Sequence, residues 1–68
     1  MSGLDRVAVA LRLMRNAGAR FQSARQIVRD ARKHPQDVHF VRAMVRTARN
    51  INHRAVASAR AAREWVQP

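Results

Sequence analysis

Apolar positions recur every three or four residues along most of the chain, and the interruptions of that rhythm mark the predicted elements. Leu4, Val7, Leu11 and Met14 form the stripe of a first helix, with Val9 and Leu13 one turn apart on a second face. A helix apolar on two sides is central or lies at a subunit interface. Ser2-Gly3-Leu4-Asp5 fits a capping box in its weaker Asp form, which opens this helix near Ser2. Asn16-Ala17-Gly18 predicts its end, Gly18 being suited to the left-handed position that follows a helix. A second helix is expected after Ser23, where Ser23-Ala24-Arg25-Gln26 repeats the capping pattern. Its apolar set is Ala24, Ile27, Val28 and Ala31, with Phe21 packing just ahead of it. His34-Pro35 stops it, because proline pushes the preceding residue away from the α region.

A third helix begins at Pro35, with Asp37 well placed for the helix dipole, and its apolar pattern does not stop. Val41, Ala48, Ala55 and Ala62 are spaced by sevens, as are Met44, Ile51, Ser58 and Trp65. A flanking row, Val38, Val45, Ala59 and Val66, is interrupted only by Asn52. Three heptad rows read as one long helix with a broad apolar stripe. A break at Asn50-Ile51-Asn52 competes with it, since asparagine favours caps over helix interiors, but a loop would have no reason to keep the phase of the stripe. The expected architecture is all-α, a small single domain over residues 1–68. It has three helices, or four if Asn52 caps another, with an antiparallel hairpin of the first two packed on a long C-terminal amphipathic helix.

Composition changes this picture in two ways. A chain of 68 residues without cysteine has a thin core and no disulfide or thiolate–metal staple, so oligomerisation or folding on a partner is expected. Fourteen Lys+Arg against four Asp+Glu give a formal net charge of +10, and every cation but Lys33 is arginine. GC-rich codon usage favours arginine over lysine, and the guanidinium fork also suits bidentate phosphate or carboxylate contacts; codon usage does not account for the shortage of acids. So much charge opposes compactness, and a polyanionic partner relieves it. No run approaches the ~18 apolar residues of a membrane span, and Arg6, Arg12 and Arg15 interrupt any signal-peptide-like segment. The expected location is cytoplasmic.

The candidate contact residues follow from the long helix. Arg42, Arg46, Arg49, His53, Arg60 and Arg63 fall on its outer face, and Arg54 lies apart on one flank. Residues 42 to 63 span roughly 32 Å, close to the ~34–36 Å turn of duplex DNA, although Val56 interrupts the stripe. Arg25, Arg29 and Arg32 form a second patch. Residues 13–27 loosely resemble a helix-turn-helix, with Gln22, Ser23, Arg25, Gln26 and Arg29 presented to base edges and phosphates. Met14 stands where that motif carries a small alanine, and Ala19-Arg20-Phe21 lengthens the turn.

Single-strand binders stack bases on exposed aromatics. Phe21 and Trp65 sit at packing positions, which leaves Phe40 as the candidate for stacking and favours duplex or backbone-level recognition of DNA or RNA. His34, His39 and His53 form no i, i+4 pair and the four acids are scattered, so no metal, cofactor or catalytic residue is expected. Asp30 has Lys33 and His34 at ordinary ion-pair spacing. Two other classes share the same charge. A basic adaptor, inhibitor or assembly protein would dock on an acidic protein surface. A homodimer or partner interface would use the spare apolar residues Val9, Leu13, Phe40, Val56 and Trp65. A membrane-active cationic peptide would need a more lipophilic seam than alanine supplies, so membrane binding is the least favoured.

Overall fold

The computed structural model describes residues 2–67 and folds as one antiparallel hairpin of two helices, α1 (Gly3–Ala31) and α2 (Val38–Val66), each of 29 residues. The expected first and second helices are therefore one, and the hairpin is the whole architecture rather than one layer of it. The helix-turn-helix likeness goes with the break: Gly18, Gln22 and Ser23 all lie inside α1. The long C-terminal helix runs unbroken through Asn50-Ile51-Asn52.

Why α1 continues through Gly18 is visible on its buried face. Ala10, Ala17, Ala24 and Ala31 are the buried residues of α1, and Ala48, Ala55 and Ala62 those of α2, all at intervals of seven. Glycine inside a helix costs about 1 kcal/mol relative to alanine. Ending the helix there would cost more, because the alanine seam continues on both sides of it. Gly18 has no positive φ, and a Cβ built on it meets nothing within 4 Å. It is an ordinary exposed helical residue rather than a turn.

Ala10 and Ala62 border the same groove. Stepping by sevens in opposite directions from that pair meets Ala17 with Ala55, Ala24 with Ala48 and Ala31 with Val41. Alanine thus faces alanine at three of the four levels, with Val41 at the level nearest the turn, which lets the backbones approach closely over most of the hairpin. The Cα envelope measures 53 × 13 × 12 Å. With a Cα radius of about 2.3 Å per helix, the axes lie about 8 Å apart, at the close end of helix packing.

Two rows flank the seam. On one side Leu13, Ile27, Met44, Ile51 and Ser58 are half-buried, and Arg20 crosses from α1 to donate from Nη1 to Ser58 Oγ at 2.8 Å and to the Arg54 carbonyl at 3.4 Å. On the other side Val7, Met14, Phe21 and Val28 run alongside Val45, Asn52, Ala59 and Val66. This side is open. Leu4, Val7, Leu11 and Met14, the apolar stripe of the expected first helix, are 82%, 46%, 54% and 51% exposed, while Val9 and Leu13 on its second face are half-buried. The smallest apolar side chains of α1, and not the larger ones of its apolar stripe, form its buried face.

The ends are closed by local hydrogen bonds. Ser2 accepts from the Asp5 amide at 3.2 Å and Asp5 accepts from the Ser2 amide at 3.3 Å, the expected capping box. Asp37 caps α2 through the Phe40 amide at 3.1 Å; α2 starts at Val38, three residues later than Pro35. The connection is held by the Lys33, His34 and Asp37 amides donating to the carbonyls of Asp30, Ala31 and His34. The His34 and Phe40 rings meet edge to face with centroids 5.6 Å apart.

Candidate nucleic-acid interface

The two arginine patches share one spacing. Arg25, Arg29 and Arg32 are separated by four and three residues, and so are Arg42, Arg46 and Arg49. On α1 the triplet borders an open groove of about 500 Å³ together with Phe21, Val28 and Asn52 of α2. On α2 the triplet borders a second groove with Val41 and Val45. Val45 and Asn52 are seven residues apart and lie in one row of α2, so the two grooves open on the same face. The register that sets Phe21 opposite Asn52 brings Arg25 level with Arg49 and Arg32 level with Arg42. Six arginines from two segments therefore flank the half of this face nearest the turn.

The arrangement does not stabilise the hairpin. Like charges three or four residues apart destabilise a helix by about 0.2–0.5 kcal/mol per pair, and each triplet contains two such pairs. No acid borders either groove. Asp5 and Asp37 are occupied as caps. Asp30 accepts from Gln26 at 3.0 Å and pairs with Lys33 at 3.6 Å, an exposed ion pair of small energetic weight.

The remaining sequence candidates are dispersed. Arg63 borders an apolar groove with Val7, Leu11, Met14, Ala59 and Val66 in the half far from the turn. Arg60 is exposed one turn before it. Arg54 sits beside Arg20 on the opposite flank. Of the apolar residues offered as partner contacts, Phe40, Val56 and Trp65 are exposed at their edges, and the Phe40 ring is already engaged with His34.

Phe21 is the residue the sequence reading misplaced. It does not pack ahead of a helix start; it lies mid-helix, 38% exposed, beside the arginine triplet of α1. The signal that would have found it is its spacing of seven from Met14 and Val28. Among the described residues no helix is long and apolar enough to cross a membrane, and no group of three or more His, Cys, Asp or Glu could hold a metal. No family model matches the chain, and no curated protein or solved structure matches it.

Proposed function

We propose that this chain is a non-enzymatic nucleic-acid-binding protein that grips the phosphate backbone through the six arginines flanking the turn. The observation that carries this reading is their convergence on one face, in matched triplets, with no carboxylate among them. Guanidinium forks suit phosphate oxygens, and six of them on one face, with no acid bordering either groove, give a local positive field that attracts an approaching polyanion. If most of the six neutralise a phosphate, log affinity for duplex DNA should fall with log salt with a slope of about −3 to −5. Anisotropy titrations between 50 and 300 mM salt measure this. A flat dependence, or no binding, overturns the reading and favours an acidic protein as the partner.

The other half of the same face supports a second copy as a further partner. Leu4, Val7, Leu11 and Met14 leave a continuous apolar strip, while among the described residues the buried core is alanine alone. Antiparallel overlap of two such strips keeps the two six-arginine clusters at opposite poles, away from each other. Sedimentation equilibrium should show a monomer–dimer equilibrium that Leu11→Glu shifts to monomer. A wild-type monomer at all concentrations refutes the pairing.

A further inference from the structure

Each row flanking the alanine seam contains a polar interruption, and the two are handled differently. On the flank opposite the open side the exposed Arg20 guanidinium donates to Ser58 Oγ at 2.8 Å, so the polar residue of that row is tied across the two helices. On the open side Asn52 interrupts a row otherwise made of Val38, Val45, Ala59 and Val66. Its carboxamide takes part in none of the side-chain hydrogen bonds among the described residues. Asparagine is a poor helix-interior residue, so this position forgoes both apolar packing and helix propensity. Across the groove at the same level stands Phe21, and Arg25, Arg29 and Arg32 border the same cavity. A partly exposed aromatic ring, a solvent-exposed carboxamide that makes no hydrogen bond to another described residue, and three guanidinium groups border an open groove of about 500 Å³. That lies within the ~300–1,000 Å³ usual for small-ligand sites.

We propose that the groove between Phe21 and Asn52 receives an unpaired base of a single-stranded nucleic acid. Phe21 stacks on the base, Asn52 hydrogen-bonds its edge, and Arg25, Arg29 and Arg32 hold the neighbouring phosphates. The site rests on the backbone-binding reading above and adds to it a choice of strand state. A base inside a duplex is already stacked on both faces and offers Phe21 nothing; a free base offers a π-face whatever its identity. Docked through its Hoogsteen edge, adenine alone of the four bases presents an adjacent donor and acceptor, N6–H and N7, which the carboxamide matches, so adenine in that orientation is the preferred occupant.

The test compares labelled oligo-dA, oligo-dT and a duplex of equal length by anisotropy, for wild type, Phe21→Leu, Phe21→Tyr and Asn52→Leu. Loss of one stacking contact should weaken single-strand binding by about five- to a hundredfold in Phe21→Leu, with duplex affinity and the salt slope unchanged. Phe21→Tyr should retain wild-type affinity, and Asn52→Leu should erase the preference for oligo-dA while melting no lower than wild type. Because Phe21→Leu could disturb the fold, Phe21→Trp supplies an independent readout: its emission should be quenched by oligo-dA and not by the duplex, after subtraction of the Trp65 signal. Equal losses on single strand and duplex, or no quenching, overturn the base site while leaving backbone binding intact. An Asn52→Leu variant that melts lower and binds normally assigns Asn52 to helix register and overturns its proposed role. Absence of wild-type binding to every oligonucleotide would overturn the backbone reading as well.

Discussion

Ala55→Leu is expected to lower the melting midpoint by about 10–20 °C, the largest stability loss of any single methyl-to-isobutyl change in the chain. Ala55 is 0% exposed, and the register puts it opposite Ala17, whose methyl and backbone leave no space for a branched side chain. Overpacking a filled site costs about 1–3 kcal/mol, sometimes more, and in a domain this small each kcal/mol shifts the midpoint by about 4–8 °C. The cost here belongs at the upper end because it is not local. A leucine wedges two rigid helices apart, and the flanking levels, Ala24 with Ala48 and Ala10 with Ala62, then lose contact together. Thermal melts followed by circular dichroism measure this, with Ala57→Leu on the exposed face of α2 as a control expected to stay within about 0.5 kcal/mol of wild type. Equal midpoints for the two variants would show that close approach along the alanine seam is not what holds the hairpin.

The same seam explains what could be read in advance. The course of α2 was legible because Val41, Ala48, Ala55 and Ala62 keep their phase through Asn50-Ile51-Asn52, and that preserved phase outweighed the helix-breaking tendency of the two asparagines. In α1 an equivalent row existed at Ala10, Ala17, Ala24 and Ala31, but two stronger-looking signals hid it. Gly18 with Asn16 resembled a helix end, and Leu4, Val7, Leu11 and Met14 outweighed alanine in apolar area. Area is the right guide when helices pack at ordinary distance. It misleads when backbones approach closely, because then the smallest residues face inward and the larger ones are displaced to the flanks.

The candidate site was legible in its parts and not in its assembly. Both arginine triplets are evident from the sequence, but their meeting depends on α1 being continuous. A turn at Gly18 would have reversed the chain before Arg25 and left the register between the triplets undetermined. Phe21 was hidden for the same reason, since a position ahead of a helix start has no defined face. Once α1 is unbroken, spacing alone places Phe21 with Met14 and Val28 on the open side and aligns it with Asn52.

Reversing the charge of Arg25, Arg29, Arg46 and Arg49 together is expected to reduce nucleic-acid affinity on the order of 10³-fold at 0.1 M salt, with the hairpin intact. Four lost phosphate contacts remove about 0.9 each from the duplex salt slope. One decade below molar salt, where counterion release contributes little, that amounts to three to four decades of binding constant. Each Arg→Glu change shifts the charge by two, so the four take the formal net charge from +10 to +2. A control with Arg6, Arg12, Arg15 and Arg54 changed to Glu has the same net charge and spares both triplets. If binding is a property of the face, the control should lose no more than about tenfold, from the weakened long-range field, and should keep its salt slope. Equal losses in the two variants would mean that total charge carries the affinity and that the matched triplets have no special part in it. Retained binding in the groove variant alone would move the contact to the far flank, where Arg54 and Arg20 lie.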